Sequence, residues 1–61
     1  MPIVQIHLLE GRSKEQKENL VRELTNVICQ TVDVEPEQAR IILSEMHRDN
    51  YSIAGTLISN K

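Results

Sequence analysis

Hydrophobic and polar residues alternate over the stretch from Ile3 to Leu9, which is the period of a β-strand. One face of this predicted strand is wholly apolar and the other is mixed. The apolar face holds Val4, Ile6 and Leu8, and the mixed face holds Ile3, Gln5, His7 and Leu9. We expect the apolar face to pack on a helix and the mixed face to be half-buried or to contact another subunit. Gly11, which tolerates positive φ, then ends the strand.

The following stretch has the period of an amphipathic α-helix over roughly Lys14 to Val32. Its apolar positions are spaced three or four residues apart and are Leu20, Val21, Leu24, Val27, Ile28 and Thr31. Lys17 falls at the N-terminal edge of this stripe and can lie along it by its aliphatic stem. Ser13 and Gln16 have the spacing of a capping box, which predicts where the helix begins.

A second strand is predicted from Arg40 to Met46, and its apolar residues on both faces favour a central position in a sheet. Before it, Pro36 can open a single helical turn in a polar connector. Strand, helix and strand of these lengths predict a βαβ unit of the α/β (α+β) class with parallel strands and a right-handed crossover. Tyr51 to Leu57 predicts a short hairpin, or an arm that contacts a neighbouring subunit.

The size of the chain favours an assembly. Its 61 residues leave room for a single domain, residues 1–61. A chain this short buries only about 60% of its unfolded surface, so small folds usually need additional stabilisation. Cys29 is the only cysteine and cannot form an internal disulfide, and the two histidines and one cysteine show no metal-ligand spacing. Self-association is the remaining source of stability, and we expect an oligomer.

Charge and hydropathy argue against several classes of function. The net charge of -2 lacks the basic excess of a nucleic-acid-binding domain, and Tyr51 is the only aromatic residue on which a base could stack. No apolar run approaches the roughly 20 residues that a membrane span requires. The N-terminus does not have the features of a signal peptide, so we expect a cytoplasmic protein.

Pro2 is the first candidate for chemistry. The initiator methionine is generally removed before a small residue, and removal would free a secondary amine held in a ring. A free α-amino group titrates at a pKa of about 7.7–8, and burial or nearby positive charge lowers that pKa toward the value that suits a general base. The alternative is that this proline merely follows the start codon, and its position alone favours that alternative.

Arg12 and Arg40 are the next candidates, because each lies at the boundary of a predicted strand. Guanidinium groups bind carboxylates with two hydrogen bonds and can stabilise an enolate as its charge develops. The alternative is two solvated surface arginines, and for each arginine taken singly the sequence favours that alternative. His47 falls in a polar turn and is expected to be solvated, and Tyr51 could lie in the core, in an interface or in a pocket wall.

The residues from Pro2 to Lys17 closely resemble the start of the 4-oxalocrotonate tautomerase family, also called 2-hydroxymuconate tautomerases. The likeness continues through Arg40, through Ser44-Glu45-Met46 at the end of the second strand, and through the segment from Tyr51 to Gly55. It therefore covers the whole chain, and it outweighs the alternatives given above for Pro2, Arg12 and Arg40.

The resemblance implies an isomerase that needs no cofactor and no metal, with a tautomerase β-α-β fold assembled as a homohexamer, a trimer of dimers. It implies that Pro2 is the general base that moves a proton in an anionic, unsaturated 2-oxo acid. Arg12 matches the arginine that binds a substrate carboxylate, and Arg40 matches the one that contacts the 2-oxo end from a neighbouring subunit. The positions that match apolar walls of the site are Leu9, Tyr51 and Ile53.

Three points leave alternatives for the reaction. Tyr51 stands where the best-known members have phenylalanine, so its hydroxyl can add a hydrogen bond to the substrate. Relatives that also start with proline hydrate haloacrylates or decarboxylate β-keto acids, which makes those reactions alternatives. If Met1 stays attached, the Pro2 nitrogen is an amide and a non-enzymatic binding module becomes the alternative.

Overall fold

The computed structural model describes residues 1–61 and contains a strand, a helix, a second strand and a small hairpin, in that order. The elements are β1 (Ile3–Leu9), α1 (Lys14–Val32), β2 (Arg40–Met46), β3 (Ser52–Ile53) and β4 (Thr56–Leu57). Short 3₁₀ turns occupy Pro36–Gln38, Arg48–Asn50 and Ile58–Asn60. The predicted βαβ unit, its bounds, the helical turn at Pro36 and the hairpin are all confirmed. The helix α1 has no apolar stretch long enough to cross a membrane.

The strands β1 and β2 pair in parallel, with Ile3 opposite Arg40 at one end and Leu9 opposite Met46 at the other. This register determines which side chains of the two strands share a face of the sheet. The face that α1 covers holds Val4, Ile6, Leu8, Ile41, Leu43 and Glu45. On the opposite face Ile3 is 61% exposed and Ile42 is 51% exposed. The prediction that only one face of β1 packs on a helix is therefore confirmed.

The prediction that β2 is a central strand is wrong within a single chain. β2 pairs with β1 alone, so its other edge carries no strand. On the helix-covered face Ile41 and Leu43 are half-buried and Glu45 is exposed, whereas Ile42 on the opposite face lies open. β2 thus has apolar residues on both faces, but within one chain only one of these faces is covered.

The ends of α1 are set by local hydrogen bonds and backbone geometry. The Ser13 hydroxyl accepts a hydrogen bond from the Gln16 amide N–H at 3.1 Å, and the Gln16 side-chain oxygen accepts one from the Ser13 N–H at 2.9 Å. These two bonds form the predicted capping box, which satisfies backbone donors that have no partner within the helix. The helix ends at Asp33, whose φ of 60° places it in the left-handed region.

The helix face that meets the sheet is rotated slightly from the predicted one. Val27 and Thr31, both predicted on the apolar stripe, are exposed, and Thr25 and Cys29 are half-buried instead. Val27 lies at the edge of the predicted stripe, so a small rotation turns it outward. Thr25 can turn toward the sheet because its hydroxyl donates to the Val21 carbonyl at 2.7 Å and so leaves no polar atom unpaired.

No residue of the single chain is fully buried. Its accessible surface is 4739 Å², whereas a compact protein of this mass exposes about 4,000 Å². The radius of gyration is 14.6 Å, against about 10.5 Å for a compact domain of this length. The hydrophobic core that stabilises a folded protein is therefore incomplete in one chain, as the sequence-based argument for an oligomer anticipates.

The hairpin turn provides the first testable prediction. Ala54 and Gly55 connect β3 to β4 with φ values of 53° and 83°, the sign pattern of a type I′ turn. A left-handed conformation costs a residue other than glycine about 1–2 kcal/mol, and asparagine tolerates it better than alanine. We expect Ala54→Asn to stabilise the protein by about 0.5–1 kcal/mol and Ala54→Val to destabilise it, because β-branched residues are the least tolerant of positive φ. Thermal unfolding at a fixed protein concentration measures both, and shifts of the same sign would contradict the predicted strain.

Candidate active site

Pro2 and Arg40 meet at the end of the sheet where both parallel strands begin. The Arg40 backbone N–H donates a hydrogen bond to the Pro2 carbonyl oxygen at 3.1 Å, which continues the pairing of β1 with β2. Pro2 is half-buried, and Arg40 is exposed and forms no ion pair with any residue of the chain. The ring of Pro2 is thus held on a fixed backbone beside a residue whose guanidinium charge is uncompensated.

Arg12 lies at the opposite end of the sheet. It follows Gly11, whose φ of 114° turns the chain from β1 toward α1. Arg12 lines a shallow pocket of about 70 Å³ together with Leu8, Gln16, Lys17 and Leu20. No carboxylate of the chain lies within ion-pair distance of Arg12. The pocket therefore offers an unpaired guanidinium above an apolar floor, which is the chemistry that a carboxylate with a hydrocarbon chain would need.

The two ends are too far apart for one small molecule to reach both within a chain. The seven residues of β1 separate Pro2 from the turn that contains Arg12, and a strand rises about 3.3 Å per residue. This gives a separation of about 23 Å, whereas a six-carbon dicarboxylate is shorter than about 10 Å from its bond lengths. Within one chain, Pro2 and Arg12 cannot bind the same small substrate.

The three residues predicted to form the apolar wall of the site also lie apart from one another along the chain. Leu9 is half-buried at the Arg12 end of β1, where it lies opposite Met46. Tyr51 and Ile53 belong to the segment that follows β2, and they are 39% and 47% exposed. The structure thus places Pro2 next to Arg40 and leaves Leu9 and Arg12 at the far end of the sheet. The side chains of Tyr51 and Ile53 are exposed to solvent.

The ion pair beside the Arg12 pocket was not predicted from the sequence. Lys17 projects from α1 and its ammonium contacts the Glu45 carboxylate on β2, and these side chains are 29% and 36% exposed. Glu45 lies directly opposite Leu8 in the sheet register. A signal for this pair was present in the sequence, because Glu45 interrupts the apolar face of β2 and Lys17 interrupts the apolar stripe of α1 with the opposite charge.

His47 has a defined role although its side chain is 57% exposed. Its Nδ1 accepts a hydrogen bond from the Asp49 N–H at 3.1 Å and so caps the short turn after β2. Its Nε2 lies 3.7 Å from the Glu10 carboxylate at the end of β1. The predicted exposure is confirmed, and the side chain also connects the ends of the two strands to the segment that leads to Tyr51.

Comparison with known proteins agrees with this architecture. The family model described as Tautomerase enzyme matches residues 2–61. A 2-hydroxymuconate tautomerase of Pseudomonas putida is 48% identical over 97% of this chain and 94% of that protein. A 4-oxalocrotonate tautomerase isozyme of Methylibium petroleiphilum superimposes with a TM-score of 0.91 at 42% identity, covering 97% of this chain and 92% of that one. A heterohexamer 4-oxalocrotonate tautomerase of Chloroflexus aurantiacus gives a TM-score of 0.89 at 32% identity, covering 97% and 95%.

The first two of these relatives span nearly the whole chain at more than 40% identity, and the Methylibium petroleiphilum structure superimposes on nearly all of it. The expected β-α-β fold and the expected enzyme class are therefore confirmed together. The chain belongs to the Tautomerase family, and it is an isomerase with the tautomerase fold.

Proposed function

We propose that this protein is a cofactor-independent tautomerase for unsaturated 2-hydroxy and 2-oxo acids of the 2-hydroxymuconate type. The observation that carries the proposal is the position of Pro2. It is half-buried just before β1, and its carbonyl oxygen accepts a hydrogen bond from the Arg40 backbone N–H. Once Met1 is removed, the Pro2 nitrogen is a secondary amine on a rigid backbone. The 48% identity with a 2-hydroxymuconate tautomerase supports the choice of substrate type.

The proposed reaction moves one proton and shifts a conjugated system. The Pro2 amine takes the proton of the 2-hydroxyl group, so the O–H bond breaks and a C2 carbonyl forms. The double bonds shift along the chain, and the protonated amine returns the proton to C5 as a new C–H bond. Arg40 stabilises the negative charge that develops on the 2-oxygen, and Arg12 binds the remote carboxylate.

This mechanism requires more than one copy of the chain, because about 23 Å of strand separates Pro2 from Arg12 within a copy. A neighbouring subunit must supply at least one of the arginines to any given Pro2. We therefore include a homohexamer, a trimer of dimers, in the proposal. The unpaired edges of β1 and β2 support it, as do the exposed Ile3 and Ile42 on the uncovered face of the sheet, and the relative of Chloroflexus aurantiacus is itself a heterohexamer.

In such an assembly Leu9, Tyr51 and Ile53 would form the apolar wall of the site. Covering these side chains would exclude water from the amine, and lower polarity favours its neutral, basic form. The Tyr51 hydroxyl would then need a hydrogen-bond partner, which a substrate oxygen can supply.

The arginine roles make a prediction about kinetics. With 2-hydroxymuconate as substrate, we expect Arg12→Ala to raise KM about tenfold or more with a small effect on kcat, since binding of the remote carboxylate is lost equally in the ground state and the transition state. We expect Arg40→Ala to lower kcat by about 10²-fold, as removal of an oxyanion-stabilising group does. Arg22→Ala, an exposed arginine of α1, is the matched control and should leave both constants unchanged. A fall in kcat with unchanged KM in Arg12→Ala would contradict its assigned role.

The proposed function as a whole is tested by intact mass followed by an assay of the same preparation. The denatured mass should lack methionine, and the preparation should convert 2-hydroxymuconate to its conjugated 2-oxo isomer in proportion to enzyme concentration. If the processed protein is inactive on 2-hydroxymuconate but releases halide from 3-haloacrylates, the proposed tautomerisation is wrong and the reaction is a hydration.

A further inference from the structure

The Arg12 pocket contains two cationic side chains, which is more than one carboxylate needs. Arg12 and Lys17 both line it, Leu8 and Leu20 form its apolar floor, and Gln16 completes it. Two unpaired cations in a pocket of about 70 Å³ would repel each other and would favour a doubly charged ligand such as a phosphate. The state of Lys17 therefore decides which anion the pocket prefers.

Glu45 compensates the charge of Lys17. The Lys17 ammonium contacts the Glu45 carboxylate across the helix–sheet interface, and Glu45 forms no other ion pair. Arg12 has no such partner. The formal charge of Arg12, Lys17 and Glu45 taken together is thus a single positive unit.

Gln16 contributes a neutral donor. Its side-chain oxygen accepts the Ser13 N–H in the capping box, which fixes the orientation of the amide. Its NH₂ group donates to no group of the chain. A carboxylate in the pocket can therefore meet the Arg12 guanidinium and an amide donor at once, while its hydrocarbon chain lies on Leu8 and Leu20.

We propose that the Lys17–Glu45 ion pair sets the specificity of the Arg12 pocket, so that the pocket takes a single remote carboxylate and distinguishes dicarboxylate from monocarboxylate substrates. This inference rests on the proposed function, and it assigns to Lys17 and Glu45 a role in substrate selection. Neither residue contacts the reacting atoms, and both act through the charge that the bound carboxylate meets.

Opposite effects follow from removing either partner. In Lys17→Gln the Glu45 carboxylate has no cation of its own, so it repels the substrate carboxylate and competes for Arg12. In Glu45→Gln the Lys17 ammonium becomes a second unpaired cation, which strengthens dianion binding. The double variant restores the single positive charge. Partly exposed charge pairs interact weakly, so we expect changes of about threefold, and at most about fivefold.

The experiment compares KM for 2-hydroxymuconate with KM for the matching 2-hydroxydienoate that lacks the remote carboxylate. The ratio of the two constants reports the pocket alone, since both substrates meet the same amine and the same 2-oxo site. We expect the KM of the dicarboxylate to rise about threefold in Lys17→Gln, to fall about threefold in Glu45→Gln and to return to the wild-type value in the double variant. The KM of the monocarboxylate should stay constant, and the differences should shrink in high salt.

A purely structural role of the ion pair gives a different pattern. Loss of a helix–sheet contact would change both substrates in the same direction in both single variants, and the double variant would be no better than either. That pattern, or an unchanged ratio in all variants, would overturn the proposal. Native mass and urea unfolding confirm that each variant is assembled, and Lys17→Arg, which keeps the charge, should retain the wild-type ratio.

The role of the ion pair can also be tested without turnover. Adipate carries a carboxylate at each end of a six-carbon chain, and the methyl NMR signals of Leu8 and Leu20 report its binding in the pocket. If 2-hydroxymuconate is not converted, the proposed function fails, and the order of adipate affinities among the variants still decides the role of the ion pair. If conversion occurs and that order is absent, only the specificity proposal fails.

Discussion

Replacing Pro2 with alanine is expected to lower kcat on 2-hydroxymuconate by about 10²- to 10⁴-fold, the range that a general base contributes. Alanine also permits removal of Met1, so the variant keeps an amino group at the same position in the chain. It loses the ring that fixes the orientation of this nitrogen. Because a primary amine at the terminus rotates freely, only a small fraction of its orientations point at the substrate. The Arg40–Pro2 backbone hydrogen bond is not affected, because it uses the carbonyl oxygen.

The control for this experiment changes the nitrogen and leaves the proline. A version with a cleavable residue before Pro2 has an amide at this position, which cannot accept a proton, and it should be as inactive as the alanine variant. Cleavage should restore activity. In the processed wild type, kcat/KM should fall as the pH is lowered, because protonation removes the base. Near-normal turnover in Pro2→Ala, or in the uncleaved protein, would exclude Pro2 as the base.

Replacing Ile42 with glutamate is expected to break the assembly. Ile42 is 51% exposed on the sheet face that α1 does not cover, at the point where Gln5 lies opposite it. If that face packs against other copies, each copy loses the burial of an isoleucine, about 1.5–3 kcal/mol, and must also bury a carboxylate without a partner. Every copy in the assembly bears this free-energy cost. A single chain has no fully buried residue, so its own free energy of folding is too small to offset the cost.

Native mass spectrometry and size-exclusion chromatography measure this effect. We expect a single hexameric species for the wild type and 7.0 kDa chains, largely unfolded, for Ile42→Glu. Asn26→Glu adds the same charge to the exposed side of α1 and should leave the assembly intact. The dissociated variant should also be inactive, because Pro2 and Arg12 no longer meet. An assembled and active Ile42→Glu would show that the uncovered face is not an interface.

The two predictions are linked by the geometry of the sheet. Parallel strands place Pro2 and Arg40 at one end and Leu9 and Arg12 at the other. A short chain with this topology can hold the parts of an active site, but it cannot bring them together by itself. Activity and assembly should therefore be lost together when the interface is changed, whereas the Pro2 variant should lose activity and remain assembled.

The bounds of the secondary structure were determined by the sequence alone, because the interactions that set them are local. The alternation from Ile3 to Leu9 predicted β1, the capping box at Ser13 predicted the start of α1, and Pro36 predicted a single turn. Each of these signals acts over two to four residues and needs no knowledge of distant contacts. The likeness to the tautomerase family also followed from the order of residues, and it supplied the candidate roles of Pro2, Arg12 and Arg40.

Only the tertiary structure decided which residues meet. It showed that Lys17 pairs with Glu45 across 28 positions, that α1 turns Val27 outward and Thr25 inward, and that β2 has one neighbour in the chain. It also showed that the strands pair in parallel, which places Pro2 and Arg40 at one end of the sheet and Leu9 at the other. Periodicity reports the faces of an element but neither its exact rotation nor its partners, since these depend on packing between elements distant in sequence. For this reason the sequence could name the candidate site residues, and the structure was needed to show that one chain does not bring them together.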